Sequence, residues 1–228
     1  MKTFFFPLFA LLVFTAPAYA QVQQYTAATD SDPEAKQLLE TIRQKYDAYR
    51  TLTADFRLEL AFPNQPVETQ RGSMSRQGEL VHFKLGNQEG IINDEAAYFI
   101  LHASKEVQIN DLPEPGEATG MLTPQTLFSF YEGNQYVLAL QGTEQVDGRT
   151  LQVVELKPLD RDASDFTKLR LLVDERNKDI VRVKAFSRDG STYTFHLDTT
   201  RGNTTLAADT FTFRKDNFPG YHVEDLRF

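Results

Sequence analysis

Between Leu52 and Phe62 the sequence LTADFRLELAF alternates almost without a fault. Leu52, Ala54, Phe56, Leu58, Leu60 and Phe62 share one parity, and Thr53, Asp55, Arg57, Glu59 and Ala61 share the other. Successive strand side chains point to opposite faces, so this stretch is expected to be a long strand with one wet and one apolar face. An apolar face of that length has to be covered. Val81, Phe83 and Leu85 repeat the pattern against Leu80, His82 and Lys84. Further short strands are expected at 91–92, 97–102, 107–109, 136–140, 151–156, 168–173, 180–186, 192–198 and 210–213, separated by Gly-, Asn- and Asp-rich turns. The polar strand VETQRGSMSR, 67–76, carries Gly72, which is expected to mark a bulge. No strand alternates with a crossover helix, so the expectation is one large antiparallel sheet.

Two helices are expected beside it. Asp32-Pro33-Glu34 supplies an N-cap acceptor, a proline at the first helical position and an early acid. Ala35, Leu38, Leu39, Ile42, Tyr46 and Tyr49 follow at helical spacing and form one apolar stripe. A second, short helix is expected from Thr123 as N-cap with Pro124 first, Leu122 stapled to Leu127, and a stop at Gly133. Its residues Leu127, Phe128, Phe130 and Tyr131 are apolar nearly all round, and so short a helix is marginal alone and must dock. The residues leave open whether it is a lid over the sheet or an ordinary plug.

The chain has 228 residues. Residues 1–20, with Lys2, an apolar run from Phe4 to Phe14 and Ala18-Tyr19-Ala20, read as a secretory signal peptide. That leaves 21–228 as a single exported domain. The absence of cysteine excludes disulfides, thiol nucleophiles and thiolate metal sites. A formal net charge of -8 argues against a nucleic-acid partner, which would need a basic footprint. His82, His102, His196 and His222 are scattered, and no nucleophile elbow, phosphate loop or dinucleotide fingerprint is present. Asp160, Asp162 and Asp165 lack the glycine and terminal Glu of a calcium loop. The expectation is a protein with no catalytic residues, no metal and no cofactor. Its sheet either fills its interior with its own side chains or holds an apolar ligand.

The order of motifs resembles the periplasmic outer-membrane lipoprotein carrier family (LolA-like). The A-x-F strand is matched by Ala54 and Phe56, and the family's G-x-L-x-x-x-R-P stretch looks like Gly72 to Arg76. The closing pattern is approximated by Phe211, Phe213, Pro219, Gly220, Val223 and Asp225. The resemblance runs over most of residues 33–228. It implies a mainly β fold with two or more helices: an unclosed antiparallel half-barrel with a helical lid over an apolar cavity. Phe56, Leu58, Leu60, Phe62, Val81, Phe83 and Leu85 would line that cavity, with Leu127, Phe128 and Phe130 facing it from the lid. A family arginine ties the lid shut; Arg76 is its match, although Gln77 stands where the family has proline, and Arg71 is the other candidate. The implied function is a monomeric periplasmic carrier shielding lipoprotein acyl chains. Its implied partners are an inner-membrane lipoprotein-exporting ABC transporter and an outer-membrane acceptor. The alternatives are a periplasmic sensor or regulatory domain recognising lipoprotein or a protein partner, or a shuttle for another lipid.

Overall fold

The computed structural model describes residues 27–112, 135–162 and 164–227. The expected signal peptide and the expected second helix, with Leu127, Phe128 and Phe130, lie outside the described residues. Within them there is one α-helix and a sheet of twelve strands. Helix α1 is Pro33–Asp47. The strands are β1 Thr51–Ala61, β2 Glu68–Gln77, β3 Leu80–Leu85, β4 Gln88–Ile92, β5 Ala97–Leu101 and β6 Glu106–Asn110. They continue with β7 Tyr136–Val146, β8 Arg149–Pro158, β9 Phe166–Asp174, β10 Asp179–Ser187, β11 Thr192–Gly202 and β12 His222–Asp225. Their order across the sheet is β12-β6-β5-β4-β3-β2-β1-β11-β10-β9-β8-β7. Strands β12 and β7 are unpaired with each other, so the sheet is unclosed. Every pairing is antiparallel except β12 with β6.

Why the sheet curls follows from what α1 touches. Asp32 caps the helix, its Oδ1 accepting from the Glu34 N–H at 2.9 Å, and Pro33 opens it. Ala35, Leu39, Ile42 and Tyr46 are buried along one side, in a core shared with Val81 and Phe83 of β3 and Leu138 of β7. Those strands stand seven steps apart in the sheet, about 34 Å if it were flat, because neighbouring strands lie roughly 4.8 Å apart. A helix of 15 residues is only about 22 Å long. The sheet must therefore wrap around the helix, and the face carrying Leu52, Ala54, Phe56 and Leu58 is concave.

Aromatic rings laid on glycines make that wrap possible. Phe56 of β1 pairs directly with Gly72 of β2, and Phe83 of β3 with Gly90 of β4. A Cβ at Gly72 would sit 2.3 Å from Phe56 Cζ, and one at Gly90 would sit 2.2 Å from Phe83 Cε1. The expected bulge at Gly72 is not there: the β1–β2 register runs through it unbroken. The glycine serves as the seat of a ring, because only a hydrogen leaves room for the ring to lie flat.

The convex face is wet along β1 and β2 but apolar at β4–β6. Ile91, Tyr98, Ile100 and Val107 are buried there under the chain that follows β11. Phe213 stacks on Tyr98 at 4.5 Å between ring centroids, and Phe218 stacks on Phe213 at 5.7 Å. The strand expected at 210–213 is accordingly replaced by turns, because this segment crosses a sheet face, where no strand edge offers backbone partners. The edge comes later, where β12 adds to β6 with His222 opposite Glu106 and Asp225 opposite Ile109.

A half-buried apolar mouth on the concave face

Helix α1 crosses the concave face obliquely. At its start, Ser31 and Asp32 bond the edge strand: the Leu138 N–H donates to Ser31 Oγ at 3.0 Å, and the Asp32 N–H donates to the Leu138 carbonyl at 2.8 Å. At its end, the Tyr46 hydroxyl accepts from the Ile180 N–H at 3.2 Å, and Lys45 pairs with Asp179. Arg76 also belongs to this end. It follows Met74 on the concave side of β2, opposite Leu52, and its guanidinium donates to the Tyr46 carbonyl at 3.0 Å. A cation at a helix C-terminus complements the dipole, and here it shares the Tyr46 carbonyl with the Tyr49 N–H, which donates at 3.2 Å. The side chain expected to latch a lid here ties α1 to the sheet. Arg71 stands opposite Arg57 on the convex face, turned away from the cavity side.

The expected lining residues divide by depth. Phe56, Leu58, Val81 and Phe83 are buried and packed into the core around α1. Leu60, Phe62 and Leu85 are half-buried. Leu60 pairs directly with Tyr193 of β11, and three rings meet at that tyrosine. Phe62 stands edge-on to it at 6.2 Å, and Phe166, at the start of β9, at 6.1 Å. Edge-to-face geometry at these separations is favourable for aromatic pairs. The four half-buried residues Leu60, Phe62, Phe166 and Tyr193 thus form a contiguous apolar mouth where β1 ends and β9 and β11 begin.

Phe166 and Tyr193 were not among the residues expected to line the cavity. The signal was available in phase: Tyr193, Phe195 and Leu197 alternate with Thr192, Thr194 and His196 just as β1 does. Pairing β11 against β1 puts both apolar sets on one face. Tyr136, at the start of β7, packs against the same core, and burial pushes its phenol above the usual tyrosine range, so its hydroxyl stays a donor. Around the mouth, the acidic loop folds on itself, Asp160 Oδ1 accepting from the Asp162 N–H at 2.9 Å. Among the described residues no group of three or more His, Asp and Glu is arranged to hold a metal ion, and no helix is long and apolar enough to cross a membrane. What the mouth offers a ligand is apolar surface with the Tyr193 hydroxyl.

Of the arrangement that the family motifs implied, the described residues show the unclosed, mainly antiparallel sheet and one helix, whereas the second helix and the helical lid are not matched among them. The fold is similar to that of an uncharacterized conserved protein from Thermus thermophilus, at 10% identity and a TM-score of 0.55, covering 86% of this chain and 99% of that one. A LolA superfamily protein from Nitrosomonas europaea matches at 14% identity and a TM-score of 0.41, over 78% of this chain and 97% of that one. MucB in the Pseudomonas aeruginosa MucA/MucB complex matches at 16% identity and a TM-score of 0.44, over 80% of this chain and 62% of that one. No family model matches the sequence, and no curated protein does.

Proposed function

We propose that this protein is a periplasmic carrier that shields the acyl chains of lipoproteins in transit from an inner-membrane exporter to an outer-membrane acceptor. The observation that supports the reading is the mouth itself: Leu60, Phe62, Phe166 and Tyr193 lie together, half-buried, at one end of the face that also packs Phe56, Leu58, Val81 and Phe83 into the core around α1. Three aromatic rings and a leucine partly uncovered side by side make a patch of the kind that suits an apolar ligand.

The energetics suit a carrier. Burying a methylene is worth about 0.8 kcal/mol, so an acyl chain of about fifteen gains on the order of 10 kcal/mol when fully sheltered. An open mouth shelters part of a chain, which leaves the ligand able to leave. Loading from a bilayer then needs an energised membrane partner, and unloading needs an acceptor with a deeper apolar site. No side chain is required to make or break a bond.

Native mass spectrometry of the protein purified from a bacterial periplasm, followed by solvent extraction, tests the reading. Bound lipoprotein or acylated peptide is the expected result. Free lipid alone would replace lipoprotein with another lipid as cargo. An empty protein that also ignores an apolar fluorescent probe would overturn the carrier and leave a domain that recognises protein.

A further inference from the structure

The convex face of β8–β10 carries a concentration of positive charge on an acidic chain. In the β8–β9–β10 register Glu155 faces Arg170, Arg170 faces Lys184, and Lys168 faces Phe186. Glu155 is buried, and its Oε2 receives both Lys168 Nζ and Arg170 NH2 at 3.0 Å. Lys157 approaches its other oxygen at 3.6 Å. Lys184 has no carboxylate within ion-pair distance among the described residues. One ring organises the group: Lys168, Arg170 and Lys184 stand 4.9, 5.7 and 5.3 Å from the Phe186 centroid. Directly opposite in the flanking strands stand Ala139, against Glu155, and Thr194, against Lys184, while Glu144 of β7 is paired with Arg182 at 3.1 Å.

Glu155 is thus shared among several cations. Desolvation raises its pKa, but hydrogen bonds from Lys168 and Arg170 outweigh that and hold its carboxyl below the ordinary range. It stays charged and holds Lys168 and Arg170 in place, yet one carboxylate cannot neutralise Lys168, Arg170 and Lys184 together. Holding like charges together costs free energy unless an outside anion repays it.

We infer that the convex face of β8–β10 is a docking platform for an acidic segment of a partner protein, one that presents two or three closely spaced carboxylates. Size and charge favour a protein segment over an anionic membrane. The platform spans two strand spacings, about 10 Å, which matches a few side chains and falls far short of a bilayer plane. The chain's net charge of -8 would be repelled by an extended anionic sheet of lipid, whereas a narrow acidic segment meets only the platform. It lies on the opposite face of the sheet from the apolar mouth, so both can be occupied at once, and it does not depend on what the mouth binds.

The test uses the full mature chain free of lipid and a short labelled peptide alternating Glu and Gly, with a Gln–Gly peptide as control. Fluorescence anisotropy at low ionic strength is expected to show binding of the acidic peptide alone, weakened by added salt. Lys184→Glu leaves the Glu155 bonds to Lys168 and Arg170 in place, should not lower thermal stability, and should weaken binding about tenfold or more by setting like charges against each other. Lys36→Glu, on the exposed side of α1, makes the same change in net charge and should leave binding intact. Equal loss in both variants would overturn the platform, as would absence of peptide binding by the wild type. Binding to phosphatidylglycerol vesicles without binding to the peptide would overturn the protein partner in favour of a lipid surface.

Discussion

Replacing Gly72 with Ala measures how closely the wrapped sheet is fitted. In an ordinary strand interior the change is favourable by about 0.5–1 kcal/mol, because glycine loses more backbone freedom on folding. Here the new Cβ would lie 2.3 Å from Phe56 Cζ and 2.6 Å from the Lys84 carbonyl oxygen. Phe56 cannot swing aside, being 1% exposed and set against Phe195 with 6.0 Å between centroids. The carbonyl belongs to the paired strand β3 and cannot move without breaking the ladder. Overpacking of this kind costs about 1–3 kcal/mol, and a backbone contact puts it in the upper half, for a net loss of about 2 kcal/mol. With a urea slope of about 3 kcal/mol/M, the unfolding midpoint should fall by about 0.7 M. The double-mutant cycle isolates the cause: in a Phe56→Leu background the ring is gone, and most of the penalty of Gly72→Ala should go with it. A raised midpoint for Gly72→Ala, or the same loss in both backgrounds, would refute the seating of the ring on the glycine.

Three further outcomes follow from named contacts. Arg76→Met keeps the stem and removes the donor to the Tyr46 carbonyl; it should cost about 1.5–3 kcal/mol in urea unfolding and speed amide exchange in the last turn of α1. Tyr46→Phe leaves the buried Ile180 N–H without its acceptor and should cost about 1–3 kcal/mol, visible in the same assay. Burial raises the Glu89 pKa, but His82, Lys84 and His102 outweigh it and hold the carboxyl below its ordinary value of 4.5. A depressed carboxylate contributes stability that is present above its unfolded value and lost as pH falls through the lower folded one. Thermal melts of the wild type should therefore drop as pH falls below about 4.5, and Glu89→Gln should show a shallower drop over that window.

Much of the fold was legible because its signals are local. The Asp32-Pro33 start, the stripe from Ala35 to Tyr46 and the parity of β1 each depend on residues a few positions apart. The rest depends on long-range pairing. Gly72 reads as a bulge in isolation and becomes a seat only when β1 brings Phe56 against it. Phe213 reads as part of a strand until Tyr98 takes it onto a sheet face, and the parallel edge of β12 needs Lys105 to accept the His222 N–H at 2.9 Å. Arg76 was singled out only through the family resemblance, as a lid latch with Arg71 as its rival; its bond to α1 was not legible, because no local pattern places the Tyr46 carbonyl beside it. The mouth was half legible: Leu60 and Phe62 come from β1 alone, whereas Phe166 and Tyr193 join them only through the order β1-β11-β10-β9.

Site-specific photocrosslinking tests the central claim most directly. A benzophenone side chain placed at Tyr193, on the concave face beside Leu60, is compared with one at Glu59, the convex neighbour of Leu60 in β1. Each protein is mixed with a triacylated peptide and irradiated. The account predicts a crosslink to the acyl chains from position 193 and little or none from position 59. Equal labelling at both, or labelling only at 59, would contradict an acyl-binding mouth on the concave face.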